Sequence, residues 1–509
     1  MASTNLALIL AESADRFSDK PAVVLGDLAI SYGDLWSAAR RYGRALQDAG
    51  VRPGERVALM IPNVPQFPMA YYGALAAGAS VVPVHSLLVA DEIANVLKDC
   101  GATVLVCAGP LLGEGAKGAE IAGVPVLSVL HEGAEVESLD RNAAAALPLD
   151  QIVMRDQADE AVVLYTSGTT GAPKGAVLTH DNIMWNATMS AFDTVRLDAA
   201  DVILGALPLF HSFGQVVVLN AGLRVGATIA LVPRFDPQTA MDIIVGAGVT
   251  VFAGVPTMYV ALLELAQSDD RRPQFRLAVS GGASLPVAVI DRFHDTFGAD
   301  IYEGYGLSET SPVATFNQQW FGRKPGSVGR PVWGVEVEIT QPDLEGELAF
   351  MGVGEVGEIV IRGHNVFTGY LNRPEATEAV MVDGWFRSGD LGYKDADGFV
   401  FIVDRKKDLI IRGGFNVYPR EVEEVLARHP AVSQVAVVAL PDDTYGEEIC
   451  AVVVTGADQE VTESELISWS QEHLGKHKYP RSVRFVDGLP LGPSGKILKR
   501  EIVQGLLSE

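Results

Sequence analysis

The sequence predicts an α/β protein: a large N-terminal domain of two doubly wound α/β subdomains with a small β-subdomain, followed by an α+β C-terminal domain. Three observations carry this. Short Val/Ile/Leu-rich runs alternate with helical patterns as far as Gly306, the mark of parallel sheets covered by helices. Between about Gly326 and Val403 the texture changes to glycine-punctuated β segments with little helix. After Asp404 a charged stretch, Arg405-Lys406-Lys407-Asp408, introduces a compact αβ alternation that runs to the end of the chain.

Taken in order, the first layer draws on apolar runs at 21–25, 56–61, 80–84, 103–107 and 124–129, with helices such as that expected at 31–49 between them. The second repeats the pattern with strands near 161–166, 202–207, 228–232, 250–255, 276–281 and 300–306. The segment GEVGEIVIRG, 354–363, reads as part of a small antiparallel sheet. In the last part, Pro419 opens a helix over 420–429, and Thr462 with Glu465 forms a capping box ahead of Leu466, Ile467 and Trp469. The boundary therefore falls between 1–404 and 405–509.

Composition limits the functions available. At 509 residues the chain has length for about three units of ~150 residues, which excludes a single small binding module. Hydrophobic residues at 48% and charged residues at 20% exclude disorder over most of it. The formal net charge of −25 repels phosphate backbones and anionic lipid, so nucleic acid and membrane surfaces are not expected partners. Any anionic ligand must be held by a local pocket. The longest apolar stretch, 215–232, is broken by Asn220 and Arg224, so no membrane span is expected. The opening MASTNLALILAESADRFSDK lacks a basic region and contains Glu12 and Asp15; it reads as an amphipathic helix rather than a signal peptide, and the cytoplasm is the expected location. Cys100, Cys107 and Cys450 lie in apolar surroundings, as buried structural cysteines do. No His/Cys cluster with zinc-ligand spacing is visible.

The most informative segment is 165–175, YTSGTTGAPKG. It leaves a hydrophobic strand and supplies backbone N–H groups, hydroxyls and one ammonium, a composition suited to wrapping the oxygens of a nucleotide polyphosphate. It is not a Walker A loop, because Pro173 precedes Lys174 and Gly175 follows it. A flexible surface turn would explain the glycines but not the Ser-Gly-Thr-Thr-Gly core with its lysine.

This segment resembles the phosphate loop of the adenylate-forming superfamily, which includes acyl-CoA synthetases, luciferases and the adenylation domains of peptide synthetases. Five further segments match in order: LPLFHSFG (207–214), GYGLSET (304–310), WFRSGDLG (385–392), DRKKDLIIRGGFNVYP (404–419) and PSGKILKRE (493–501). The resemblance implies a phosphate cradle of Thr166, Ser167, Gly168, Thr169, Thr170, Gly171 and Lys174. It places Gly304, Tyr305 and Gly306 at the adenine, Thr310 at the α-phosphate, Glu309 on Mg²⁺, and Asp390 with Arg405 at the ribose. Lys496 would reach the α-phosphate from a Ser-Gly-supported turn, Lys407 would be the hinge of a mobile C-terminal domain, and Gly413 and Gly414 would line the passage of the thiol-bearing arm of coenzyme A.

The same resemblance implies ATP-dependent conversion of a carboxylic acid to acyl-AMP and pyrophosphate, then transfer to coenzyme A or to the phosphopantetheine of an acyl carrier protein. Phe210, His211, Val255, Gly281 and Gly282 would line the acyl pocket. The amino-acid-activating branch carries an aspartate in the segment matching LPLFHSFG; His211 stands there instead, which disfavours an amino acid. The apolar segments 216–219 and 251–259 suit an alkyl or aryl tail, with a fatty acid first and an aryl or short-chain acid second. No obvious insertion occurs at 326–361, which favours coenzyme A over a carrier protein. A non-catalytic nucleotide-binding scaffold is the reading from another class, and joint retention of Lys174, Glu309, Asp390, Arg405 and Lys496 speaks against it. A monomer or homodimer is expected.

Overall fold

The carboxyl ends of two parallel sheets meet beneath a smaller C-terminal unit in the computed structural model of the chain, which describes residues 3–166, 173–344, 346–456, 459–492 and 495–508. The first sheet has seven strands. Its order is Gly369–Tyr370, Lys174–Thr179, Glu160–Thr166, Ser80–Pro83, Arg56–Met60, Ala102–Ala108 and Val126–Val129. The second has nine: Arg330–Pro331, Val313–Phe316, Ile301–Gly306, Leu277–Ser280, Val251–Gly254, Val202–Gly205, Thr228–Leu231, Pro21–Leu25 and Leu28–Ser31. Their central strands are parallel and almost wholly buried, which is why they read as continuous apolar runs rather than alternating ones.

The division of strands between the sheets differs from the sequence expectation. Pro21–Leu25 pairs in parallel with Thr228–Leu231 of the second sheet, and Glu160–Thr166 pairs with Ser80–Pro83 of the first. The two layers therefore exchange one strand each. The chain crosses between them twice, tying both into one hydrophobic core.

A five-stranded antiparallel sheet, Val335–Thr340, Gly357–Gly363, Trp385–Lys394, Met381–Val382 and Val400–Arg405, closes one end. Two short strands from this region, Arg330–Pro331 and Gly369–Tyr370, are spent on the edges of the large sheets instead. The ion pair between Arg387 and Glu358, both nearly buried, is held inside it; Glu358 Oε1 also accepts the Gly389 N–H at 3.2 Å, fixing the turn that presents Asp390. A further five-stranded sheet, Phe415–Val417, Ile410–Arg412, Gly446–Thr455, Val432–Asp442 and Ser482–Phe485, has its own cores under the helices Pro419–Leu426, Glu463–His473 and Lys499–Ser508, and a two-stranded pair joins Ser3–Thr4 to Arg155–Asp156. Only residues 406–409 separate the last strand of the large body from the first strand of this unit.

Among the described residues no helix is long and apolar enough to cross a membrane. The three cysteines are free and buried, and burial pushes the Cys100 and Cys107 thiols up to about 12.

The helices Tyr32–Asp48 and Gln66–Ala76 pack backbone to backbone through two glycines. A Cβ on Gly43 would lie 2.6 Å from the Gly73 carbonyl oxygen, and one on Gly73 would lie 2.6 Å from the Ala39 carbonyl oxygen. Gly73→Ala forces the helices apart, and a loss of about 1–3 kcal/mol is expected, read as a lowered midpoint in denaturant unfolding.

Candidate active site

The parallel strands end at one place. The segments leaving Ser80–Pro83, Glu160–Thr166, Val202–Gly205, Val251–Gly254, Leu277–Ser280 and Ile301–Gly306 bound a cleft of about 1630 Å³ together with residues of the C-terminal unit. Ligands of open α/β sheets bind outside the carboxyl ends of their strands, and here two sheets contribute their ends to the same space.

On one side stand Tyr305, Asp390 and Arg405. The Tyr305 hydroxyl donates to Asp390 Oδ2 at 2.7 Å, and Arg405 Nε lies 3.4 Å from Asp390 Oδ1. Asp390 and Arg405 are directly opposed in the antiparallel register of strands Trp385–Lys394 and Val400–Arg405, so the sheet itself sets their pairing. Burial raises the Asp390 carboxyl while Arg405 opposes that shift; burial and the Asp390 charge push the Tyr305 phenol well above its usual range. Glycines bring backbone close on either side of Tyr305. A Cβ on Gly306 would sit 1.7 Å from the Pro312 carbonyl oxygen, and one on Gly304 2.7 Å from the Phe316 ring.

Glu309 is buried, and desolvation raises its carboxyl above the ordinary value. Its Oε1 accepts from the Tyr370 hydroxyl at 2.9 Å, and the Tyr370 ring in turn lies 5.2 Å from Lys174 Nζ. A short chain of contacts thus joins Lys174, which follows the glycine-rich segment in the sequence, to the acidic residue.

Lys496 enters from the C-terminal unit. Thr257 donates to the Gly495 carbonyl oxygen at 3.2 Å, and a Cβ on Gly282 would meet Lys496 Cε at 3.5 Å. His211, Phe213, Val255, Gly282 and Lys496 enclose a small pocket beside the main cleft. Burial, then Arg405, lowers the Lys496 ammonium to about 8, while Asp390 and Glu309 resist the shift. His211 is driven down to about 3, by burial first and by Lys496 next. Its Nδ1 accepts the Phe213 N–H at 3.3 Å, which leaves the proton of the neutral ring on Nε2.

Residues 10–371 match the family model for AMP-binding enzymes, and 421–496 match that for the AMP-binding enzyme C-terminal domain. A long-chain-fatty-acid–CoA ligase of Bacillus subtilis (strain 168) is 36% identical over 98% of this chain and 94% of its own. A feruloyl-CoA synthase of Amycolatopsis sp. is 38% identical over 94% and 95%. The crystal structure of ATP-bound MatB from Rhodopseudomonas palustris superposes with a TM-score of 0.89 at 33% identity, covering 99% of both chains. The chain is an AMP-binding enzyme of the adenylate-forming family. It is an AMP-forming acid–CoA ligase.

In this ligase the cleft gathers Thr166, Lys174, Phe210, His211, Gly281, Gly282, Gly304, Tyr305, Gly306, Glu309, Asp390, Arg405, Lys407 and Lys496, with Val255 in the small pocket alongside. Thr310 departs from the sequence expectation. It is fully buried, and its hydroxyl bonds the Leu307 N–H at 2.8 Å and the Pro312 carbonyl oxygen, so it locks the turn after GYGL instead of facing an α-phosphate. Gly413 and Gly414, with φ of +56° and +84°, form the exposed turn between Ile410–Arg412 and Phe415–Val417, away from the cleft that Lys496 enters. Ser167, Gly168, Thr169, Thr170 and Gly171 lie outside the described residues.

Three cleft residues fall outside the sequence reading. Tyr370 holds Glu309. Glu303, beside Gly304 in the strand Ile301–Gly306, is buried at the cleft with its carboxyl pushed up to about 7, chiefly by desolvation. His85 packs against Phe210 with ring centroids 4.6 Å apart. Glu303 and His85 share a position at or just after the carboxyl end of a parallel strand, whereas Tyr370 ends a short antiparallel edge strand.

Tyr305→Phe removes one donor from Asp390 and leaves the ring in place. The KM for ATP is expected to rise roughly fivefold, about 1 kcal/mol, with the KM for the acid unchanged, in steady-state titrations of each substrate.

Proposed function

We propose that the ligase activates a carboxylic acid with an apolar tail, a fatty acid in the first instance, and transfers it to coenzyme A, with Lys496 as the residue that neutralises charge at the α-phosphate. The observation that carries this is the entry of Lys496, from the C-terminal unit, into the pocket that holds His211 and Gly282 beside Asp390 and Glu309. Tail specificity is supported by the apolar walls at Phe213, Val217 and Val260. The fatty-acid choice follows the relative from Bacillus subtilis; the feruloyl-CoA synthase favours an aryl acid as the second reading. Coenzyme A is the acceptor these relatives' names carry.

A carboxylate is a poor electrophile because its oxygens share negative charge and oxide is no leaving group. Attack of one carboxylate oxygen on the α-phosphorus of ATP forms a carboxyl–phosphate bond and breaks the bond to the β-phosphate bridge, releasing pyrophosphate. Charge accumulates on the α-phosphoryl oxygens as this proceeds, and the protonated Lys496 side chain meets it in a desolvated site. His211, neutral, offers Nε2–H rather than a charge; it lines the acyl pocket and is no general base. We assign the adenine to Tyr305 between Gly304 and Gly306, the ribose hydroxyls to Asp390 and Arg405, and the phosphates to Lys174 with the Thr166–Gly171 segment.

Glu309 suits Mg²⁺: a buried carboxylate with raised proton affinity gains from a hard cation nearby. Among the described residues no group of three or more His, Cys, Asp or Glu gathers to form a cage, so phosphate and water oxygens would complete the coordination. The ion would supply charge neutralisation between the two anions.

In the second half-reaction the thiol gives up its proton as its sulfur attacks the acyl carbon, the bond between that carbon and the bridging oxygen breaks, and AMP departs with that oxygen on its phosphate. We place the division between the two domains within 406–409, just beyond the 404/405 boundary expected from the sequence because Arg405 still belongs to a strand of the large body, and take Lys407 as the hinge. Rotation there would withdraw Lys496 and bring the Gly413-Gly414 turn toward the acyl group.

Acid-dependent exchange of labelled pyrophosphate into ATP, run over fatty, aryl and hydroxy acids, is expected to be strongest with fatty acids; no exchange with any acid overturns the assignment. Lys496→Ala is expected to lower exchange by at least about 100-fold while sparing thioester formation from supplied acyl-adenylate; equal loss of both removes the lysine's role. The pH dependence has a defined sign. The lowered ammonium loses its proton as pH rises through about 8, so kcat/KM for adenylation in the free enzyme is expected to fall above that pH, a limb absent in Lys496→Ala.

A further inference from the structure

His85 follows the strand Ser80–Pro83 and lines the cleft. That strand pairs in parallel with Glu160–Thr166, with Val81 opposite Val162, so His85 leaves the strand next to the one that leads into the glycine-rich segment. Lys174, which resumes the chain after that segment, belongs to the same seven-stranded sheet. His211, Val255 and Gly282, by contrast, leave strands of the nine-stranded sheet. Phe210 stands between the two histidines in sequence and contact: its ring packs on His85, and its neighbour is His211. His85 thus stands between Phe210 and the strand whose continuation was assigned above to the phosphates.

Its ring is also oriented for a purpose the protein alone does not use. Nδ1 accepts the Leu87 N–H at 2.9 Å, which assigns the proton of the neutral imidazole to Nε2. Nε2 is buried and has no hydrogen-bond partner among the described residues, and a buried N–H left without an acceptor is costly. Burial moves the ring down to about 4, so it is neutral over the working pH range and needs no proton transfer to serve as a donor.

Building on the adenylation reading above, we propose that His85 Nε2–H donates a hydrogen bond to the β- and γ-phosphate oxygens of ATP and to the pyrophosphate that leaves. This makes it a substrate-contacting residue of the first half-reaction with no part in the second, where pyrophosphate is absent. A neutral donor suits the position, since it binds the polyphosphate without holding the product as tightly as another ammonium would.

Three substitutions test this. His85→Leu removes the donor and keeps apolar bulk against Phe210; His85→Gln places an amide N–H near the Nε2 position; His85→Asn places its amide near Nδ1, short of the cleft. The readouts are the KM for pyrophosphate in ATP synthesis from supplied acyl-adenylate, and coenzyme A thioester formation from the same acyl-adenylate. His85→Leu and His85→Asn are expected to raise the KM for pyrophosphate about 10- to 100-fold, His85→Gln to recover most of that, and thioester formation to stay at the wild-type rate in all three. An unchanged KM for pyrophosphate in His85→Leu overturns the proposal, as does a parallel fall in thioester formation or a defect in His85→Gln equal to that of Leu. Failure of the underlying reading is separable: it would leave the wild-type enzyme itself without acid-dependent exchange.

Discussion

The constraint on which this enzyme rests is electrostatic. A carboxylate and a polyphosphate, both anions, must be brought to bonding distance inside a protein whose own formal net charge is −25. No long-range field can help, so the attraction is built locally, from donors and cations that converge over a few ångströms. The carboxyl ends of two parallel sheets supply that convergence. Each strand delivers a different kind of group: Thr166 and Lys174 from the first sheet; His211, Gly281–Gly282 and Tyr305 from the second; Asp390 and Arg405 from the antiparallel sheet.

Burial gives these groups their chemistry. The removal of water that drives His211 and His85 to neutrality also lowers Lys496 and raises Glu309 and Asp390, so each charge in the cleft is held at a cost that an incoming ligand of opposite sign can offset. The close glycines serve the same end. At Gly306 the approach of Pro312 leaves no room for any side chain, and the backbone there forms part of the wall against which Tyr305 stands.

Much of this was legible in the residues. The alternation of apolar runs with helical patterns gave the layers because fully buried parallel strands leave a continuous apolar signature, and Pro419 and the Thr462–Glu465 box marked helix starts through local capping chemistry. The exchange of strands between the sheets was not legible, because pairing Pro21–Leu25 with Thr228–Leu231 depends on partners some two hundred residues apart whose apolar faces look alike. Thr310 illustrates a second limit: a hydroxyl in a motif reads as ligand-facing, yet the backbone of its own turn competes for it and wins. His85 and Tyr370 were missed because each lies outside any glycine-rich segment and acquires its place only when the sheet register sets it beside Phe210 or Glu309.

The position of Arg405 has a consequence for the order of events in a catalytic cycle. It is the final residue of a strand anchored in the large body, opposite Asp390, and it lies one short tether ahead of the unit that bears Lys496. On the reading proposed above, a swing about that tether would carry the Lys496 side chain off while Asp390 and Arg405 stay paired in the large body. The activated acid would then remain docked by its nucleotide handle during the changeover, shielded from diffusing away or hydrolysing before the thiol arrives, and the spent nucleotide would be the fragment held longest.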